Sequence, residues 1–323
     1  MSLCKLYYGK KEDFSGFAAY KIIVETMQGQ VWFIAKICEG KWKEFVAKKE
    51  ECELIGAFLG DIIGAPYEHY RGKVDKDFPL FVRESRFTDD SVMTCAVAEA
   101  LLDMLEQADP PEDGAFKAAL VRAMQKWGRR YPHAGYGRAF RGWLAAEDPQ
   151  PYGSWGNGSA MRVSPVGWLF RTMEDTRRFA RLSAEVTHDH PEGIKGAEAV
   201  ASAIFLARSN AGKEEIRKYV TQEFGYDLSC TCEEIRPGYS FDVSCQGSVP
   251  EAITAFLDGS SFEDTVRTAV SLGGDTDTIA CIAGSIAEAW DTVPGMMRLE
   301  CLRRLPDDMR ALLARFEDAR DRI

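Results

Sequence analysis

The stretch GGDTDT, Gly273 to Thr278, crowds carboxylates and hydroxyls into the residues just ahead of an apolar helical run, IACIAGSIAEAW. One side chain is enough to cap a helix start, because a single Asp or Thr oxygen accepts an orphan backbone N–H and favours the positive end of the dipole. Asp275, Asp277 and Thr278 together exceed that need. Hard oxygen donors in excess suit Mg²⁺ or Mn²⁺ and not zinc, which prefers Cys and His. A second cluster has the same design: in RFTDDSVMTCAVAEALLDML, Thr88, Asp89 and Asp90 open another apolar helix. If the two meet in the fold, each carboxylate pair about 4 Å apart repels by about 4 kcal/mol at an effective dielectric near 20. Several such pairs would threaten a domain whose net stability is about 5–15 kcal/mol. Two dications would neutralise the four aspartates.

Three further stretches carry candidate groups. In GAFLGDIIGAPYEHY, Gly56, Gly60 and Gly64 recur every four residues, a smooth stripe that lets another helix approach closely. Pro66 ends that helix, since it donates no backbone bond and restricts Ala65 before it. Glu68 then projects from the turn beyond; taken singly it reads as a surface carboxylate. In YGSWGNGSAMRVSP, Tyr152 to Pro165, glycines leave backbone N–H groups free to face an anion, although most such loops are only turns. Trp155 within it either stacks on a base or packs in the core, and the sequence leaves both open. In VTHDHPEG, His188 and His190 are two apart and share no helical face, so both read as exposed loop histidines.

The elements that must position these groups are helical. Met93, Val97, Ala100, Leu101, Met104 and Leu105 form one stripe, and Ile279, Ile282, Ala283 and Ile286 another, both at helical spacing. Ala197 to Ala207 and Pro250 to Leu257 behave similarly, while convincing period-two strands are missing after residue 50. Helices around one core are the expectation for residues 51–323. Residues 1–50 read as a small appended α/β segment, with a strand in VWFIAKICEG (Val31 to Gly40) as its only notable one and a helix in KWKEFVAKKEE.

With 323 residues, 46% of them hydrophobic, the chain can bury a sizeable core. Its formal charge of -10 argues against a nucleic-acid binder, which needs clustered Lys and Arg. No apolar run reaches membrane-spanning length, no signal pattern opens the chain, and nine cysteines lie without a disulfide framework. A cytoplasmic protein is the expectation. Cys230, Cys232 and Cys245 match no zinc spacing and read as ordinary thiols.

In their order along the chain, the Gly-rich first helix ending in GAPYE, then FTDDS, GNGSAMR, TH and GGDTDT resemble the ADP-ribosylglycohydrolase family. The resemblance runs from about Glu51 to near the C-terminus; residues 1–50 have no counterpart. It implies a compact all-α domain with a dinuclear Mg²⁺ or Mn²⁺ site. The family's metal ligands map onto Thr88, Asp89, Asp90, Asp275, Asp277 and Thr278, so the clusters would both cap and ligate. Glu68 aligns with the family glutamate near the metals, and Glu68, Asp89 and Asp277 would carry catalysis. Ser154, Trp155, Gly156, Asn157, Gly158 and Ser159 align with the loop that holds ADP, with Trp155 at the adenine-stacking position. His188 matches a histidine near the bound ADP-ribose. The implied activity is metal-dependent hydrolysis at C1″ of ADP-ribosyl groups, on a modified protein or a small ADP-ribose conjugate. A hydrolase of a free ADP-ribose derivative or related small nucleotide and a non-catalytic ADP-ribose-binding protein are the alternatives. The linkage cleaved and the oligomeric state are left open.

Overall fold

A computed structural model describes residues 54–70, 72–106 and 112–322, together with the strand backbone of 5–8, 12–14, 17–19, 22–25 and 31–34. Its contacts divide the chain into two units, Met1–Glu51 and Cys52–Ile323. The first contains β1 (Lys5–Tyr8), β2 (Glu12–Phe14), β3 (Phe17–Ala19), β4 (Ile22–Glu25) and β5 (Val31–Ile34). All pairing is antiparallel: β4 lies between β1 and β5, with Val24 opposite Trp32, and β2 pairs with β3. The strand expected from Val31 is therefore present, but it is one of five among the described residues. Strands of three or four residues are too short for alternation to declare itself. The helix expected in KWKEFVAKKEE lies outside the described residues.

The second unit is all-α among the described residues. Its helices are α1 (Ile55–Gly64), α2 (Asp89–Leu105), α3 (Asp113–Arg130), α4 (Arg138–Ala145) and α5 (Gly158–Met161). They continue with α6 (Ser164–Leu169), α7 (Met173–Glu185), α8 (Pro191–Arg208), α9 (Lys213–Phe224) and α10 (Cys232–Ile235). The last are α11 (Cys245–Asp258), α12 (Phe262–Ser271), α13 (Thr276–Trp290), α14 (Gly295–Arg304) and α15 (Asp307–Arg320). Polar caps start many of them: Thr88, Thr172, Ser244 and Ser261 each accept a first-turn N–H. Among the described residues no helix is long and apolar enough to cross a membrane.

The centre of the unit is α13. Every residue from Thr276 to Ala287 is buried, and α1, α8, α11 and α12 pack around it. A helix covered on all sides has no polar face, which explains its small, apolar composition. The α2 stripe is buried as expected at Met93, Val97, Ala100, Leu101 and Met104, but Leu105, its last residue, is exposed. The helix stops there and the stripe outruns its cover.

The glycine stripe of α1 meets α13 backbone to backbone. A Cβ at Gly60 would lie 2.0 Å from Ala280 O, at Gly56 2.4 Å from Gly284 O, and at Gly64 2.4 Å from Thr276 O. Backbone cannot yield as a flexible side chain would, so Gly60→Ala is expected to destabilise by at least about 1–3 kcal/mol, the scale of overpacking. That exceeds the gain of about 1 kcal/mol in helix propensity. Gly114→Ala, at an exposed helical glycine with nothing within 4 Å among the described residues, should be neutral or stabilising. Thermal unfolding of both variants checks this; equal melting temperatures would mean α1 and α13 do not pack so closely.

Candidate active site

The seam between α1 and α13 leads to the two oxygen clusters. At its end α1 gives way to a 3₁₀ turn, Ala65–Tyr67, where Pro66 stops the helix and leaves half-buried Glu68 at the exit. On the facing side Gly273 and Gly274 have φ of +71° and +78°, a left-handed pair that turns the chain sharply into α13. Lys73 holds this turn from outside, donating to Leu272 O and, at 2.7 Å, to Tyr239 O. Oxygens of Glu68, Asp275 and Asp277 then lie within 4.8 Å of one another.

The start of α2 completes the cluster. Thr278 Oγ1 donates to Asp90 Oδ2 at 3.4 Å, which joins the two motifs across 188 residues of chain. Thr88 Oγ1 lies 3.2 Å from the same oxygen. Asp90 Oδ1 is buried with no hydrogen-bond partner among the described residues. A buried carboxylate oxygen without a donor is costly unless something positive completes it. Asp89, half-buried in the first turn, faces Gly135, where a Cβ would lie 2.9 Å from its Oδ1.

Backbone capping uses only part of each cluster; in the second, Asp277 Oδ1 accepts from Thr278 N at 3.0 Å. Thr88 accepts from Asp90 N and caps α2, but Asp275, at the N-cap position of α13, makes no capping bond. Its Oδ2 instead accepts from Asn157 Nδ2 at 2.6 Å, and Asn157 Nδ2 also reaches Ser248 Oγ at 3.0 Å. The amide thus pins the Asp275 carboxylate away from its own helix start, a use of Asn157 not foreseen from the sequence.

A more consequential omission is Asp61. It sits on α1, fully buried, and accepts from Thr88 N at 2.9 Å and Ser91 N at 3.1 Å, with both hydroxyls also bonded to it. Asp61 therefore fixes the first turn of α2 and hence the direction of Asp89 and Asp90. The signal was available: a lone acid inside the apolar run GAFLGDIIGAP must be paired if the helix is buried.

Electrostatics record the crowding. Burial, then the charge of Asp277, pushes the Asp61 carboxyl up to about 7 and that of Asp89 up to about 8. The same two causes raise Asp90 and Asp275 well above the ordinary carboxylate range and raise Glu68 as well. Asp277 is raised by its own burial. So many carboxylates cannot ionise together without a counter-charge, and cation binding there must release protons. The donor set, all oxygen, fits Mg²⁺ or Mn²⁺.

The glycine loop stands beside this cluster through Asn157. Gly153 N donates to Asp189 Oδ1 at 2.7 Å, Asn157 N to Val243 O at 2.8 Å, and Cys245 N to Trp155 O at 2.9 Å. Trp155 is 53% exposed, its ring 5.4 Å from that of His190, so core packing does not explain it. Ser154 Oγ accepts from Gly156 N at 3.2 Å, and the Ser159 hydroxyl is committed to Gly193 O at 2.7 Å. The expectation of exposed histidines fails for His188, which is buried; its ring lies under Gly156 and Gly158. Those glycines are needed partly for this: a Cβ on Gly158 would lie 3.1 Å from His188 Nε2. His190 is half-buried and caps α8, accepting from Glu192 N at 3.2 Å. Cys230, Cys232 and Cys245 are free thiols.

Comparison with known proteins sets this geometry in context. A family model described as ADP-ribosylglycohydrolase matches residues 53–322. ADP-ribosylhydrolase ARH3 of Mus musculus is 30% identical, over 77% of this chain and 86% of the relative. The Homo sapiens ARH3 is 29% identical, over 77% and 87%. ADP-ribosylarginine hydrolase Tri1 of Pseudomonas putida is 24% identical, over 75% and 70%. A solved structure titled ADP-ribosylglycohydrolase-related protein complex superposes with a TM-score of 0.60 at 27% identity, covering 84% of this chain and all of that one.

Proposed function

The chain belongs to the ADP-ribosylglycohydrolase family and is a hydrolase of that kind; from this premise we propose that it removes ADP-ribose from modified proteins, using two Mg²⁺ or Mn²⁺ ions. The catalytic unit is residues 51–323, and residues 1–50 are an appended segment. The observation that carries the reading is the meeting of Asp90 and Thr278 beside Glu68, Asp275 and Asp277, with Asp90 Oδ1 buried and without a hydrogen-bond partner among the described residues. A protein that only held its fold would gain stability by losing some of these mutually repelling acids. Thr88, Asp89, Asp90, Asp275, Asp277 and Thr278 would hold the ions, which supply Lewis-acid polarisation and a water of lowered pKa.

The residues of the chain supply the rest. Cleavage at C1″ passes through an oxocarbenium-like state, and a site rich in carboxylates favours its positive charge. Glu68, raised from its ordinary range by burial and by Asp277, moves the proton to or from water or the leaving group. Asp61 and Asn157 hold the ligating groups in place from behind. Ser154 to Ser159 would bind the ADP portion, with adenine on the exposed face of Trp155 and His188 beneath the loop.

Trp155→Ala is accordingly expected to weaken ADP-ribose binding by about 1–3 kcal/mol, the scale of base–aromatic stacking. An exposed ring contributes little to folding, so the melting temperature should not change. Titration calorimetry with ADP-ribose checks both the ligand and the residue: unchanged affinity removes Trp155 from the site, and no binding to wild type removes the ligand.

A further inference from the structure

Behind the glycine loop lies a cation that no carboxylate among the described residues pairs with. Arg162 is 1% exposed, one of the largest fully buried side chains, and its Nε has no partner among the described residues. Burying a guanidinium without an ion pair is costly. Its Nη2 donates to Ser183 O at 2.9 Å and to Thr187 Oγ1 at 2.8 Å. Thr187 Oγ1 in turn lies 2.6 Å from His188 Nδ1. The three side chains form one buried line ending at the ring beneath Gly156 and Gly158.

The chemistry of these groups sets the direction of the line. A guanidinium only donates, so the Thr187 oxygen turns its lone pair to Arg162 and its proton away. His188 Nδ1 is the one acceptor recorded for that proton among the described residues. Burial and the Arg162 charge together hold His188 well below the ordinary histidine range, so the ring is neutral. A neutral ring that accepts at Nδ1 carries its proton on Nε2. No protein acceptor for Nε2 is recorded among the described residues, and Nε2 is the atom nearest a Cβ built on Gly158.

We propose that Arg162 and Thr187 are positioning residues that lock His188 in the Nε2–H form, so that it presents one fixed donor at the glycine loop to a phosphate or ribose oxygen of the ADP-ribosyl group. This rests on the reading of residues 154–159 as the ligand loop. The mechanism parallels the use of a second group to fix a catalytic imidazole. A fixed donor discriminates for an oxygen acceptor at that position, because a ligand lacking one would leave the N–H buried and unpaired.

Long-range ¹H–¹⁵N spectra of the full chain at neutral pH read the tautomer, and only four histidines contribute. Replacing His69, His133 and His190 by Gln assigns the remaining signal to His188. Wild type should show a protonated Nε2 and an unprotonated Nδ1. Thr187→Val, which keeps the shape and removes the hydroxyl, should mix the tautomers and weaken ADP-ribose binding by up to about 10-fold, the scale of one hydrogen bond. Thr187→Ser should restore both readouts, which recovery of packing alone would not do. A wild-type signal with the proton on Nδ1 overturns the proposal, and it does so even if the valine variant fails to fold. An unchanged tautomer in folded Thr187→Val also overturns it. If wild type holds the Nε2–H form but does not bind ADP-ribose, the relay stands, while the ligand loop and the donor role both fall.

Discussion

Asp277→Asn is expected to abolish divalent-metal binding and hydrolysis while making the metal-free protein more stable at pH 8. The charge of Asp277 raises Asp61, Glu68, Asp89, Asp90 and Asp275 alike, which places it at the centre of the cluster. Mutation of an outer-sphere partner typically costs about 10–100-fold in metal affinity, so loss of a charged ligand should cost more than about 100-fold. The stability change has the opposite sign. Asp61 and Asp89 titrate at about 7 and about 8 in the fold, against about 4 when unfolded. Below about pH 4 both states are protonated, so these groups cost nothing there. Between about pH 4 and 8 the folded chain holds more protons, and stability falls as pH rises. Removing the Asp277 charge lowers those values toward the unfolded ones and recovers stability at the alkaline end. Titration calorimetry with Mg²⁺ and Mn²⁺, and melting curves of chelated protein at pH 5 and 8, read the two effects separately. Unchanged metal affinity would dismiss Asp277 as a ligand; a lower melting temperature at pH 8 would mean it is chiefly structural.

Glu68→Gln should reduce turnover by about 10²–10⁴-fold, the usual contribution of a general acid–base group. The amide keeps the shape and the half-buried position after the Pro66 turn but cannot exchange the proton. ADP-ribose affinity should change far less, since ground-state contacts are retained. Equal release of ADP-ribose by wild type and variant would show that Glu68 does not handle the proton. A large loss of affinity with unchanged turnover would make it a binding group.

Why some of this was legible in the sequence and some was not has physical causes. The two oxygen clusters could be read because Asp275, Asp277 and Thr278 exceed what a cap uses; that Asp275 makes no capping bond depends on Asn157, which only the fold brings beside it. The Gly56, Gly60 and Gly64 stripe declared a close helix neighbour, but the neighbour is α13, about two hundred residues on. Its matching small residues, Ala280 and Gly284, look like ordinary helix composition until the pair is docked. The signal at Asp61 is conditional: a lone acid amid glycine and apolar residues must be paired only if both faces of its helix are buried, which packing decides. His188 and Trp155 were ambiguous for the same reason in opposite directions. Burial in loops depends on what packs over them, and here His188 is buried beneath Gly156 and Gly158 while Trp155 stays 53% exposed. Period-two alternation cannot show in strands as short as Glu12–Phe14 and Phe17–Ala19, so of the strands described in the N-terminal unit the sequence declares only the one from Val31.

The relatives named for their reaction include an ADP-ribosylarginine hydrolase, whereas ARH3 carries no linkage in its name. The decisive assay is therefore mass spectrometry of the full chain incubated with ADP-ribose attached through arginine, serine, a nucleic-acid end and an acetyl ester, each with Mg²⁺, with Mn²⁺ and with chelator. Release of free ADP-ribose from at least one linkage, lost in chelator and restored by either cation, is the expected result. Release that continues undiminished in chelator would contradict the acidic cluster as a metal centre. No release from any linkage, with ADP-ribose and metal both bound, would contradict hydrolysis and leave a binding protein on the same fold.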